Sequence, residues 1–132
     1  MNIILIEPDR VLADTYRLAF EAAGHTAVMC ASAQSAVFAA DEIKPDIVIM
    51  ELQLIGHSGI EFLYEFRSYT EWQNVPVMLL TNVPAGEFAD SWELLREELG
   101  VSAYYYKPLT TLQTLIRAVN EFVSSPSAIL KP

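Results

Sequence analysis

Cysteine occurs once in the 132 residues, at Cys30, so no internal disulfide can form and a reducing compartment is the simpler setting. Cys30 itself reads as a small apolar side chain in a strand. Basic residues are also scarce. Eight Lys and Arg stand against 17 Asp and Glu, a formal charge of -9, and no Lys/Arg cluster appears of the kind that grips a phosphate backbone. Direct nucleic-acid binding is therefore not expected. No apolar run approaches the ~18 residues that suggest a membrane span, and MNIILIEPDR lacks the basic n-region of a secretory signal. The expectation is a cytoplasmic protein with no membrane contact. Ser, Gly and Gln tracts are missing as well, while 52% of residues are hydrophobic and 19% charged. That balance predicts one globular domain with a single compact core. The expected organisation is a domain over 1–123 and a short tail or linker remnant over 124–132.

Four short apolar runs read as strands buried on both faces: IILI at Ile3 to Ile6, TAVMC at Thr26 to Cys30, DIVIM at Asp46 to Met50 and VPVMLL at Val75 to Leu80. A fifth, AYYY at Ala103 to Tyr106, is shorter and more aromatic. Helical patterns lie between and after them. Asp9 can cap the first, where Leu12, Tyr16, Ala19, Phe20 and Ala23 recur at helical spacing until Gly24. Ser32 can cap a second that Lys44-Pro45 stops, and Ser58-Gly59 opens a third. Phe88, Trp92, Leu95 and Leu99 mark a fourth; Leu112, Leu115, Ile116, Val119 and Phe122 mark a fifth. Each stripe reads first as core. Strand and helix thus alternate five times through connections suited to βαβ crossovers, which predicts a doubly wound α/β sandwich with a five-stranded parallel sheet and five helices.

In such sheets the crevice beyond the carboxyl ends of the strands carries the chemistry. Glu7, Pro8 and Asp9 follow the first strand, Glu51 the third, Thr81 the fourth and Lys107 the fifth. Three carboxylates, a hydroxyl and an ammonium are thereby expected on one rim, where a cation or Lys107 offsets the clustered negative charge. Taken singly, Asp9 is a helix cap, Thr81 a strand end and Lys107 a surface charge with a buried stem. Convergence from four strand ends is what favours a site. His57 and His25 read as loop and turn residues without metal-ligand spacing. Asp46 opens its strand, roughly 16 Å from Glu51 at ~3.3 Å per residue.

The ordered set IILIEPD, KPDIVIMELQLIGHSGIEFL, VPVMLLT and GVSAYYYKPL resembles the receiver domain of two-component response regulators, over nearly the whole chain from Asn2 to about Val123. The resemblance implies a flavodoxin-like sheet of order 2-1-3-4-5. It also implies that a residue at the position of Glu51 accepts a phosphoryl group from a histidine kinase or small phosphodonor. Acidic residues at the positions of Glu7 and Pro8 would hold Mg2+, with the acceptor carboxylate and the carbonyl at Gln53. Thr81 and Lys107 would contact the phosphoryl oxygens, Tyr104 would change rotamer with Thr81, and the Lys107-Pro108 bond would be cis.

Two positions depart from the family. Glu51 stands where aspartate accepts the phosphoryl group, and its extra methylene displaces the carboxylate; a misplacement of about 1 Å can lower a positioned reaction on the order of 10²-fold. Pro8 stands where a direct Mg2+ ligand is placed, and it has no carboxylate. A set of Glu7, Asp9, Glu51 and Gln53 is therefore expected to bind Mg2+ weakly or not at all. The expectation is a pseudo-receiver, a signalling module rather than an enzyme, with Glu51 reaching toward Lys107 and Thr81 in place of metal chemistry. Its expected partner is a protein, a histidine kinase or effector, or a second copy, on the face of the fourth helix, fifth strand and fifth helix. The segment 83–100 looks a few residues longer than its counterpart and bears on that same face. Two other functions compete: an active phosphoacceptor using Mg2+, and a flavin-binding redox protein. The acidic Glu7-Pro8-Asp9 loop disfavours the flavin phosphate.

Overall fold

Apolar runs too short for anything but strands, alternating with amphipathic helices, assemble as a three-layer sandwich. The computed structural model describes residues 1–56 and 58–124. In chain order the elements are β1 (Asn2–Ile6), α1 (Arg10–Ala22), β2 (Thr26–Cys30), α2 (Ala33–Glu42), β3 (Ile47–Met50), α3 (Gly59–Ser68), β4 (Val77–Thr81), β5 (Val101–Tyr106) and α4 (Leu112–Ser124). All strand pairs are parallel, in the order β2-β1-β3-β4-β5. The order reverses between β1 and β3, which places the crevice beside the carboxyl ends of those strands.

Alternation along each strand divides the core in two. Ile4, Ile6, Val48, Met50, Val77 and Leu79 face α2 and α3, whereas Ile3, Leu5, Ile47, Ile49, Met78 and Leu80 face α1 and α4. The aromatic strand obeys the same rule: Tyr104 joins the first layer and Tyr105 packs against the second. Every helix start foreseen from a polar cap has its bond. Asp9 accepts from Leu12 N–H, Ser32 forms a reciprocal box with Ser35, and Ser58 accepts from Glu61 N–H. No described helix is long and apolar enough to cross a membrane.

The fourth helical pattern does not become an α-helix. A 3-10 stretch, Ala85–Ser91, is followed by a π-helical turn, Leu94–Glu98, in which Leu99 N–H reaches Leu94 C=O, five residues back, at 3.1 Å. Gly86, Asp90 and Ser91 are poor helix formers, so packing of the apolar positions prevails over regular hydrogen bonding. Leu95 and Leu99 are buried, and Phe88 and Trp92 pack on Tyr104. The Lys107-Pro108 bond also differs from the expected cis form. It is trans, the lower-energy isomer by about 0.5–1 kcal/mol for X-Pro, within a 3-10 turn closed by Thr110 N–H to Lys107 C=O at 3.1 Å.

The loop that carries Glu51 is held against its own return. Gly59 N–H bonds Leu52 C=O at 2.7 Å, and a Cβ at Gly59 would lie 2.8 Å from Leu52 Cα. Any side chain there pushes the loop outward. His57, read as a loop residue, lies outside the described residues, as do residues 125–132 of the expected tail.

Candidate functional site

Glu7 and Glu51 leave adjacent strands at the same level, because parallel pairing carries the ladder one residue past each strand end. Glu7 N–H bonds Cys30 C=O and Glu51 N–H bonds Ile6 C=O, each at 2.9 Å. Their side chains are nearly inaccessible, 5% and 4% exposed by residue. Two buried carboxylates side by side would repel strongly, so the site requires a cation. The chain supplies it: Lys107 Nζ lies 2.5 Å from Glu7 Oε1 and 2.7 Å from Glu51 Oε1.

The remaining oxygen of Glu51 is equally occupied. Oε2 accepts from Leu52 N–H at 2.6 Å, from Gln53 N–H at 3.1 Å and from the Thr81 hydroxyl. Asn82 N–H approaches Oε1 at 3.3 Å. The Thr81 hydroxyl in turn accepts from Val83 N–H at 3.1 Å, and Val83 C=O accepts from the Tyr104 hydroxyl at 2.6 Å. Hydrogen bonds, joined through the Val83 backbone, therefore link Lys107 to Tyr104.

Electrostatics follows from that geometry. Burial alone pushes the Glu51 carboxyl up, but the bonds from Lys107, Thr81 and Gln53 outweigh it and hold the group below its ordinary value. Burial likewise pushes the Lys107 ammonium down, yet bonds to Glu51 and Glu7 raise it above its ordinary value. Both partners are charged at neutral pH. The Tyr104 hydroxyl is pushed up to about 12, first by burial and then by the Glu51 and Glu87 charges.

Of the residues expected on the rim, Glu7, Glu51, Thr81 and Lys107 meet in this cluster. Asp9 does not share it: its carboxylate caps α1, accepting Leu12 N–H at 3.1 Å, while its own N–H bonds Glu7 Oε2 at 3.1 Å. Gln53 contributes a backbone N–H. His25 bridges the Met1 ammonium (3.3 Å) and Asn120 (2.9 Å). Asp46 accepts Asn2 N–H at 2.6 Å at the amino end of the sheet. The backbone donors of Leu52, Gln53 and Asn82 were not anticipated. Nothing in a side-chain motif announces them, since any residue type brings the same N–H.

The donor set does not fit Mg2+. An octahedral ion needs free carboxylate oxygens at about 2.0–2.1 Å, but Glu51 Oε2 accepts three donors and both Oε1 atoms hold the Lys107 ammonium. Pro8 adds no ligand. Among the described residues no group of three or more His, Cys, Asp or Glu is arranged to hold a metal ion.

A doubly wound parallel sheet with acidic, hydroxyl and lysine side chains converging at its carboxyl edge defines a receiver-type protein. The chain belongs to the response regulator receiver domain family, matched over residues 3–120, the signalling modules of two-component systems. It is 25% identical over 135 aligned positions to the KDP operon transcriptional regulatory protein KdpE of Escherichia coli, which covers 98% of this chain and 57% of that protein. The chain thus spans little more than half the length of that relative. Among solved structures, a two-component response regulator from Clostridium difficile superposes with a TM-score of 0.81 at 20% identity, over 97% of this chain and 99% of the other. The chemotaxis response regulator CheY4 of Vibrio cholerae gives 0.79 at 17% identity, over 91% and 96%. Both show the same fold.

Proposed function

We propose that this domain is a pseudo-receiver, a two-component signalling module that works by docking a protein partner without phosphoryl transfer. One observation carries the reading: the Lys107 ammonium sits between Glu7 and Glu51 while Glu51 Oε2 accepts three further donors. A nucleophilic carboxylate needs a free oxygen aligned with the donor phosphorus, and a metal needs free ligands. Neither is left. The Glu51 carboxylate supplies one negative charge where a phosphoryl group would supply nearly two, so the domain holds a partial and permanent version of a charged state. The partner face is formed by residues 85–99, β5 and α4, where the 3-10 and π-helical turns replace a regular helix.

Intact mass after incubation with acetyl phosphate and Mg2+ tests the reading, beside a Pro8→Asp/Glu51→Asp double variant. The expected result is an added phosphoryl mass on the double variant alone. Uptake by the wild type would make the domain a working phosphoacceptor and end the proposal. The double variant also restores the carboxylate that proline lacks, so uptake there locates the lost chemistry at those two positions.

A further inference from the structure

A groove of about 360 Å³ runs beside the Glu7–Lys107–Glu51 cluster, between α1 and the start of α4. Leu12 and Tyr16 of α1, Asn82 after β4, Lys107 and Pro108 after β5 and Leu112 of α4 line it. Two of these side chains are more than nine-tenths buried and still hold an unused donor. Tyr16 is 8% exposed, and its hydroxyl has no hydrogen-bond partner among the described residues. Every described side-chain N or O that is sealed from solvent has a partner, so the Tyr16 oxygen opens where that residue meets solvent, at this groove. The Lys107 side chain is likewise 8% exposed. An ammonium carries three N–H donors. Glu7 Oε1 and Glu51 Oε1 take two of them, and the described residues bring no acceptor to the third.

Charge and chemistry select the occupant. Burial pushes the Tyr16 hydroxyl up; the Lys107 charge opposes this, and the Glu7, Glu51 and Asp9 charges reinforce it. Tyr16 therefore keeps its proton at neutral pH and can donate. A donor at such depth favours an acceptor. The three carboxylates outnumber Lys107, so an anion is repelled, while the ammonium itself repels a second cation at contact. An uncharged oxygen meets neither objection. The two threonines that complete the lining, Thr15 and Thr110, already spend their hydroxyl protons on Val11 and Tyr106 C=O at 3.0 and 2.8 Å. They offer acceptor oxygens, which suit an N–H on the ligand, and Leu12, Pro108 and Leu112 offer an apolar wall.

We propose that this groove binds an uncharged carboxamide on a small apolar body, its carbonyl oxygen accepting from the Tyr16 hydroxyl and Lys107 Nζ. Its N–H groups have the threonine oxygens as acceptors, and its body packs on Leu12, Pro108 and Leu112. An apolar lining with a few convergent polar groups is what small-molecule sites share. The ligand takes only the third Lys107 donor, so Glu7 and Glu51 keep theirs and the cluster stays closed. This inference goes beyond the reading of the domain as a pseudo-receiver. Its test uses no phosphodonor, so either can fail alone.

The test is a titration of the 15N-labelled full chain with benzamide, benzoate and benzylamine, which share a ring and are neutral, anionic and cationic at neutral pH. Benzamide should give saturable shifts centred on the amides of Leu12, Tyr16, Asn82 and Leu112, in the millimolar range that so small a probe permits. Benzoate and benzylamine should not saturate. Tyr16→Phe keeps the ring and removes the hydroxyl, and should weaken benzamide about fivefold. Leu112→Asp should abolish binding by placing a carboxylate at the groove. Leu112 is exposed at the first residue of α4, where an acid suits the helix, and far-UV circular dichroism checks that both variants fold. Benzamide shifts that are absent or centred elsewhere, equal binding of the three probes, or affinity unchanged in either variant would overturn the proposal.

Discussion

A buried ammonium and a half-buried guanidinium anchor opposite ends of this sheet, and they are compensated in different ways. Lys107, at the carboxyl end, faces two carboxylates. Arg67, toward the amino ends of β4 and β5, faces carbonyls: Nε bonds Leu99 C=O at 2.8 Å, Nη1 bonds Trp72 and Gln73 C=O at 2.7 and 3.2 Å, and Nη2 bonds Gly100 C=O at 3.1 Å. Full charges raise the Lys107 ammonium above its ordinary value, whereas burial lowers Arg67. Carbonyl dipoles satisfy the guanidinium donors without neutralising the charge, so Arg67 is a staple that joins the end of the π-helical turn to the connection before β4. Lys107 is the counter-ion of two carboxylates. Gly100 shows how closely the staple fits: its φ is +67°, and a Cβ there would lie 2.7 Å from Arg67 Nη2.

Removing each cation separates the two roles. Lys107→Met leaves Glu7 and Glu51 buried without their counter-ion and should lower stability by about 3–5 kcal/mol at neutral pH, measured by urea unfolding. The deficit should shrink in mild acid, because one carboxyl can then be protonated; a deficit independent of pH would contradict the counter-ion role. Arg67→Met takes a donor from four carbonyls, of which Trp72 C=O keeps Val75 N–H and others can be reached by water, and should lower stability by about 2–4 kcal/mol. Its deficit should not change between pH 5 and 8. The 85–99 segment should become more susceptible to proteolysis, and unchanged cleavage there would argue against the staple.

A smaller effect comes from Glu51 itself. Its folded-state carboxyl titrates below the ordinary value of 4.5, so its contribution is complete above that value and is lost as pH falls through the lower, folded-state value. Glu51→Gln should flatten the acid limb of the stability curve while leaving Lys107 paired with Glu7. An acid limb as steep as that of the wild type would assign the acid loss to other carboxyls.

Much of the fold was legible along the chain because its signals are local. Asp9, Ser32 and Ser58 each mark a helix start through a side-chain oxygen that reaches an N–H three residues on. TAVMC has the same limits in sequence and structure. The 85–99 region was not legible in the same way: the apolar spacing of Phe88, Trp92, Leu95 and Leu99 correctly marked the side that packs, but it could not reveal 3-10 and π hydrogen bonding. Periodicity records which side is buried, not which carbonyl an N–H selects. Likewise, Asp9 and Glu7 are near neighbours in sequence, yet one caps a helix and the other enters the buried cluster, because the chain turns at Pro8 from strand to helix.

The sequence by itself determined the alternation of strands and helices, the sign of the charge, the two departures at Pro8 and Glu51, and the rim at which polar strand ends collect. Each rests on residue type and spacing alone. Only the tertiary structure decided that Lys107 inserts between Glu7 and Glu51 and that three donors close on one oxygen of Glu51. These depend on separations of a few tenths of an ångström and on which neighbour each backbone group faces, quantities set by long-range packing across strands far apart in the chain.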